Sequence, residues 1–259
     1  MRTEDRQITM PDKNMQKSHR NEDAYAIILA AGKGSRLGAA VNKVLLPLGD
    51  STVLNYTCSA FENVVEIKGY IVCAASAEID QVKDLLPAGK YPKLMAVIPG
   101  GASRTGSVQA GIEWLSAGCI PSESLVLIHD GARALVSSAV ILRTLSVLEE
   151  EICAVAAAIP VTDTIRQIDR HGWVSNSPDR DLLRAMQTPQ GARLGLLREA
   201  LSAPQNQDLQ ASDDLGLLQR IGCPVRLVAG DVRNLKITDK ADLALAEILI
   251  RSNPRMQPE

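Results

Sequence analysis

The segment from Tyr25 to Lys43, YAIILAAGKGSRLGAAVNK, constrains the fold more than any other part of the chain. Tyr25 to Leu29 is a short apolar run with two adjacent isoleucines, the pattern of a strand buried on both faces. It breaks into Ala30, Ala31, Gly32, Lys33, Gly34, Ser35 and Arg36. Small residues at a strand's end leave backbone N–H groups uncovered, so an anion can approach closely. Ser35 is placed to cap a short helix whose N-terminus favours the same anion. Lys33, Arg36 and Lys43 add positive charge, and the stretch reads as a cradle for a phosphate chain.

Spacing decides which kind of cradle. No window supplies G-x-x-x-x-G-K-[ST], and Leu37 stands where a dinucleotide fingerprint needs its third glycine. A dinucleotide-dependent oxidoreductase is therefore disfavoured. The pattern is A-A-G-x-G-x-R with a lysine seven residues after the arginine. It resembles the signature loop of sugar-phosphate nucleotidyltransferases, which join a nucleoside triphosphate to a phosphorylated substrate.

The rest of the chain repeats strand and helix patterns in alternation, which predicts βαβ units. Strands are expected at 70–75, 94–98, 124–128, 153–159 and 224–228. Helices are expected at Ser51–Phe61 with Ser51 as cap, and at 78–86, 103–116, 138–150, 191–201, 212–221 and 239–250. The fold class is α/β: a Rossmann-like, three-layer αβα nucleotidyltransferase fold with a mostly parallel sheet. Between about 161 and 184 the alternation fails, and two short segments around Asp169-Arg170-His171-Gly172 predict a protruding β-hairpin arm. A two-stranded ribbon is marginal alone, so the arm is expected to pack on a second subunit. The expected organisation is a disordered polar extension (1–23), a single domain (24–251) carrying the arm, and a short tail (252–259).

Composition narrows the function classes. A net charge of -2 argues against general nucleic-acid affinity, and 3% aromatic content against base-stacking platforms. The five cysteines are scattered without a C-x-x-C, which predicts reduced thiols in a cytoplasmic protein and no zinc site. The first 23 residues hold no apolar run, so no secretory signal is expected, and no apolar run in the chain approaches the roughly 20 residues needed to span a bilayer.

In an open parallel sheet, ligands bind beyond the carboxyl ends of the strands. The motifs A-A-G-x-G-x-R…K, G-G-x-x-R-x-x-S-V, H-D-x-A-R, V-x-D-T, D-R…T-P-Q and N-x-K-I-T fall at or near such ends, in this order. From about Tyr25 to Arg251 this set closely resembles the 2-C-methyl-D-erythritol 4-phosphate cytidylyltransferase family of the non-mevalonate isoprenoid pathway. Pentitol-phosphate cytidylyltransferases share much of the pattern and supply the alternative substrate, ribitol or ribulose 5-phosphate. A nucleotide-binding module without turnover is a third reading, disfavoured because Arg36, Lys43 and Lys236 are all present.

The resemblance implies the following roles. Lys43 and Lys236 bracket the α-phosphate of CTP, and Arg36 holds the leaving phosphates. Gly32, Lys33, Gly34 and Ser35 cradle the triphosphate. Gly100, Gly101 and Ser107, supported by Arg104, take the cytosine, with backbone groups near Ala30 and Ala31 contributing. Arg133, Thr164, Arg180, Thr188 and Ser212 take the sugar phosphate, Thr164 and Arg180 by entering the partner subunit's site in a homodimer. A Mg2+ ion is expected between phosphate oxygens, with Asp130 contacting the metal, its waters or a substrate hydroxyl. His129 reads as a strand-end side chain set by packing, and Trp114 and Trp173 as packing residues. Asn42, where many members have proline, is expected to loosen the approach to Lys43. Ala134, Gly131 and Ser212 are further departures that remove no charge.

Overall fold

The computed structural model describes residues 22–32, 42–203 and 214–252. Strand β1 (Ala24–Ala30) is covered on both faces, with Ala26, Ile27 and Ile28 fully buried. It is followed by a ribbon of β2 (Pro47–Leu48) and β3 (Ser51–Thr52), then by helix α1 (Val53–Glu62). Thr52 rather than Ser51 caps α1, its hydroxyl accepting from the Asn55 N–H at 3.3 Å, because Ser51 is committed to the ribbon opposite Leu48. The alternation continues through β4 (Ile67–Ala74), α2 (Ile79–Leu85), β5 (Leu94–Pro99), α3 (Arg104–Ala117), β6 (Leu125–Asp130), α4 (Ser138–Glu150) and β7 (Ala154–Pro160). A hairpin of β8 (Gln167–Ile168) and β9 (Val174–Asn176) interrupts it. Then come β10 (Arg184–Arg193), α5 (Leu194–Ser202), α6 (Asp214–Arg220), β11 (Val225–Ala229) and α7 (Lys240–Ser252).

Seven strands form one sheet in the order β11-β7-β10-β6-β1-β4-β5. Every neighbouring pair is parallel except those of β10, which runs antiparallel to both β6 and β7. One face packs Ile28 and Val72 against Leu54, Phe61, Val82, Ile141 and Leu145, from α1, α2 and α4. The other packs Ile27 and Ile71 against Ile112, Leu115, Leu197 and Leu218, from α3, α5 and α6. The three-layer α/β architecture follows from strands apolar on both sides. A smaller cluster seats α7, through Ile250 and Ala246, on Leu48 of the β2–β3 ribbon and Tyr56 of α1.

The expected helix at 191–201 is corrected: residues 184–193 are the interior strand β10, and α5 begins only at Leu194. Its segment Gln187-Thr188-Pro189-Gln190-Gly191 holds no apolar alternation, so nothing local marks it as a strand. Tertiary contact makes it one. A Cβ on Gly191 would meet the Val126 carbonyl oxygen at 2.6 Å, so only glycine lets β10 lie this close to β6. Its polar side chains Gln187, Thr188 and Gln190 are buried, and the first two serve the site described below.

The hairpin stands off the sheet. Asp169 organises its turn, Oδ1 accepting from the His171 N–H (2.8 Å) and the Trp173 N–H (3.0 Å). Trp173 does not pack within the chain as expected; it is 76% exposed, and Ile168, Val174 and Leu182 are exposed with it. Trp114 does pack against the core beneath α3. Residues 1–21 of the polar extension, the tail beyond 252 and the start of the helix expected from Ser212 lie outside the described residues. Among the described residues no helix is long and apolar enough to cross a membrane.

Candidate active site

The parallel register sets the carboxyl ends of β1, β4, β5 and β6 along one edge, with Leu29 beside Asp130, Ala30 beside Ala74 and Ala74 beside Pro99. A cavity of about 670 Å³ opens there, lined among others by Ala31, Gly32, Lys43, Gly100, Gly101, Arg104, Ser107, Asp130 and Lys236. Residues read from separate stretches of sequence thus share one wall.

Asp130 is its electrostatic centre. Lys236 Nζ lies 2.9 Å from Oδ2, Arg133 Nε 3.4 Å from Oδ2, and Arg104 Nε 3.4 Å from Oδ1. Burial by itself would raise the Asp130 carboxyl, but Lys236, Arg104 and Arg133 together outweigh it and hold the group far below the usual carboxylate range. It is a carboxylate at any ordinary pH. Asp130 is also the one acid among the described residues lining the cavity.

Behind the wall runs a polar relay that the sequence did not disclose. The Asp130 N–H donates to Thr188 Oγ1 at 3.1 Å, and Thr188 Oγ1 lies 2.9 Å from His129 Nδ1. His129 Nε2 lies 3.3 Å from the Arg133 carbonyl, which can only accept, so Nε2 carries the proton and Nδ1 accepts the Thr188 hydroxyl. His129 is fully buried, 5.1 Å from the Phe61 ring centroid. Burial pushes it down to about 3, against the opposing pull of the Asp130 charge and of the hydrogen bond to the Arg133 carbonyl, while the Arg133 and Arg104 charges add to the lowering. It is a neutral strut, with both ring nitrogens engaged.

The loop that carries Lys236 is fastened to β10. Gln187 donates from Nε2 to the Asp231 carbonyl (2.8 Å) and accepts at Oε1 from the Asp231 N–H (3.2 Å). Asn234, fully buried, donates to the Thr188 carbonyl (2.8 Å), and its own carbonyl accepts from Arg133 Nη1 (2.8 Å). The Ile237 N–H reaches the Ala132 carbonyl at 2.9 Å. Lys236 therefore sits between two anchored neighbours. Asn234 lies in the N-x-K-I-T motif, where its spacing from Lys236 was the available signal; Gln187 offered none.

The loop after β5 is equally tight. A Cβ on Gly100 would meet the Ala31 side chain at 2.6 Å, so the ends of β1 and β5 can touch only through glycine. Ser107 Oγ accepts from the Gly101 N–H (3.1 Å) and donates to the Ser103 carbonyl (3.0 Å), which fixes that loop against α3. The Ser103 hydroxyl caps α3 through the Gly106 N–H at 3.0 Å.

Lys43 opens a short helical turn, Lys43–Leu45, whose Val44 and Leu45 are buried. Asn42, expected to loosen this turn, ties it down: it is 4% exposed, and its side-chain amide makes three hydrogen bonds.

Other expected site residues fall elsewhere. Ala30 ends β1, its carbonyl accepting from Asn42. Partly buried Arg133 and buried Thr188 lie behind Asp130, outside the cavity lining, where both hydrogen-bond the residues that form its wall. Thr164 and Arg180 lie in the exposed arm, away from this cavity, Arg180 reaching only the Thr162 carbonyl (3.2 Å). Lys33, Gly34, Ser35, Arg36 and Ser212 lie outside the described residues.

Cations, backbone donors and a helix N-terminus around one cavity suit a polyanion, and the small residues on its floor leave room for a flat base. Comparison with known proteins agrees. A sequence model of the 2-C-methyl-D-erythritol 4-phosphate cytidylyltransferase family matches residues 24–252. The protein of that name from Thermobifida fusca is 38% identical over 244 residues, covering 92% of this chain and 97% of its own. That from Nocardia farcinica is 37% identical over 236 residues, with 91% and 97% covered. The solved structure of 2-C-methyl-D-erythritol 4-phosphate cytidylyltransferase from Thermus thermophilus superposes with a TM-score of 0.66 at 33% identity, covering 87% of this chain and 98% of that one. The 4-diphosphocytidyl-2C-methyl-D-erythritol synthase of Anaerococcus prevotii superposes with a TM-score of 0.77 at 27% identity, with 89% and 99% covered. The chain belongs to the 2-C-methyl-D-erythritol 4-phosphate cytidylyltransferase family.

Proposed function

We propose that the chain catalyses the transfer its family is named for and does so in the cavity around Asp130. CTP and 2-C-methyl-D-erythritol 4-phosphate give 4-diphosphocytidyl-2-C-methyl-D-erythritol and pyrophosphate, a step of isoprenoid precursor synthesis. A substrate phosphate oxygen attacks the α-phosphorus, the P–O bond to the β-phosphate breaks, and pyrophosphate leaves. A phosphate monoester has its second pKa at about 6, so the nucleophile is already charged at neutral pH and needs no general base. The task left to the protein is to neutralise charge at the crowded phosphorus and on the leaving group.

The observation that carries this reading is that Lys43, Arg104 and Lys236 line one cavity with Asp130 as its single acid among the described residues. Lys43 and Lys236 flank the α-phosphate, and Arg36 with the 32–35 backbone takes the outer phosphates. Gly100, Gly101 and the loop fixed by Ser107 receive the cytosine. For Lys236 to engage the triphosphate, it exchanges Asp130 for phosphate oxygen. A single ionised carboxylate fits Mg2+, which is held largely by substrate phosphates and water. No group of three or more metal-ligating side chains exists among the described residues, so Asp130 would be its main protein contact. Bound there, the ion would supply further neutralisation of phosphate charge.

The arm completes the site in trans. Its exposed Ile168, Trp173 and Val174 give a surface that a second subunit covers, delivering Thr164 and Arg180 to the partner's sugar phosphate. The enzyme works as a cytoplasmic homodimer in this reading. Pyrophosphate release tests it, with Mg2+, CTP and methylerythritol phosphate against ribitol 5-phosphate and UTP. Release confined to CTP with methylerythritol phosphate is the expected result. Release with the pentitol phosphate alone moves the substrate, and silence throughout defeats the assignment.

A further inference from the structure

We propose that Asn42, anchored by Glu78, is a positioning residue that fixes the direction from which Lys43 enters the cavity. This rests on the role given to Lys43 above and adds residues that carry no charge to the substrate. The Asn42 amide uses both of its donors and one acceptor site. Nδ2 donates to the Ala30 carbonyl at the end of β1 (2.7 Å) and to Glu78 Oε2 at the start of α2 (2.7 Å), and Oδ1 accepts from the Val44 N–H (3.3 Å). Turning the amide over would set its oxygen against two acceptors, so only one orientation is possible. The backbone closes the same turn, the Leu45 N–H donating to the Asn42 carbonyl at 2.9 Å.

These bonds join three elements at the residue immediately before Lys43. The end of β1 supplies a carbonyl and the turn before α2 supplies a carboxylate, reaching across 12 and 36 residues of sequence respectively. Both elements border the cavity, where Ala31, Ala75 and Ser76 form part of the lining beside Lys43. Asn42 sits at φ -60° and ψ 130°. That φ is the one a proline ring would impose covalently. In this chain, hydrogen bonds to Ala30 and Glu78 do the work of a ring. Geometry at a reacting phosphorus is exacting, and a displacement of about 1 Å can cost on the order of a hundredfold in rate.

Four variants test this in steady-state pyrophosphate release, with CTP affinity and thermal unfolding measured on each. Asn42→Ala is expected to lower kcat by about tenfold or more while CTP affinity stays within about threefold, since Lys43 acts mainly at the transition state. Asn42→Pro makes none of the three side-chain bonds yet sets the same φ, and is expected to restore kcat to within about threefold of the native enzyme. Glu78→Ala is expected to slow the native enzyme but to change nothing in the Asn42→Pro background, where its partner is gone. That pattern separates positioning from loss of stability, which proline would not repair selectively. Native kcat in Asn42→Ala, an Asn42→Pro enzyme as slow as Asn42→Ala, or an equal Glu78→Ala effect in both backgrounds overturns the proposal. Lys43→Ala is run in the same assay. If it keeps native kcat the Lys43 role itself fails, whereas a dead Lys43→Ala beside an unaffected Asn42→Ala defeats only the positioning inference.

Discussion

Asp130 Oδ2 and Lys236 Nζ meet at 2.9 Å on the wall of the cavity, with Arg104 and Arg133 closing on the same carboxylate. The carboxylate holds mutually repelling cations together before any phosphate arrives. Asp130→Asn removes that counter-charge from a site that is 7% exposed. Breaking a buried pair by deleting one partner typically costs about 3–5 kcal/mol, and the low end applies because Lys236 is partly solvated. Denaturant unfolding should show the loss alongside a kcat reduced by roughly a hundredfold. Lys236→Met should behave oppositely: the carboxylate keeps Arg104 and Arg133, so stability falls by only about 1 kcal/mol while kcat falls as far. Equal stability losses in the two variants would mean that the pair, not the cluster, carries the energy.

Thr188→Val separates support from substrate contact. The variant keeps the shape but leaves the Asp130 N–H and His129 Nδ1 without their buried partner. An unsatisfied buried group costs about 1–3 kcal/mol, so unfolding should shift by that much, with kcat falling as Asp130 loses its seat. A raised KM for the sugar phosphate at native stability would instead place Thr188 in direct contact with substrate.

The arm is tested by complementation. Lys43→Ala and Arg180→Ala should each be inactive or nearly so. Exchange of subunits between them should restore about a quarter of native activity, because half the dimers are hybrids and each hybrid holds one intact site. Failure to recover activity, with hybrid formation verified by mass, would place Arg180 in its own subunit's site.

Thiol accessibility reports the fold. Cys58 and Cys73 are buried in opposite faces of the sheet; burial pushes Cys73 up to about 12, and burial followed by the nearby Glu62 pushes Cys58 higher still. Cys119 is exposed. Alkylation of the native protein at pH 8 should modify Cys119 first, with Cys58 and Cys73 silent until denaturant is added. Rapid labelling of Cys73 would contradict the packing of α3 on β4.

Much of this protein was set by its sequence alone. The parallel strands were legible because burial on both faces writes continuous apolar runs such as Tyr25 to Leu29, and the rim because glycines and cations interrupt those runs at their ends. Asp130, Lys43, Arg104 and Lys236 could each be named for that reason. Tertiary structure alone decided the remainder, wherever a residue's role depends on partners distant in the chain. β10 is polar and carries a proline and a glycine; it is a strand only because β6 and β7 both offer it hydrogen bonds. Thr188 reaches His129 across 59 residues, and Gln187 meets Asn234 across 47. Asn42 looked like a loosened proline position, and its clamp exists only because folding brings Ala30 and Glu78 to its amide. Local pattern reports what one segment prefers, whereas the satisfaction of a buried polar group is settled by whichever segments the completed fold sets beside it.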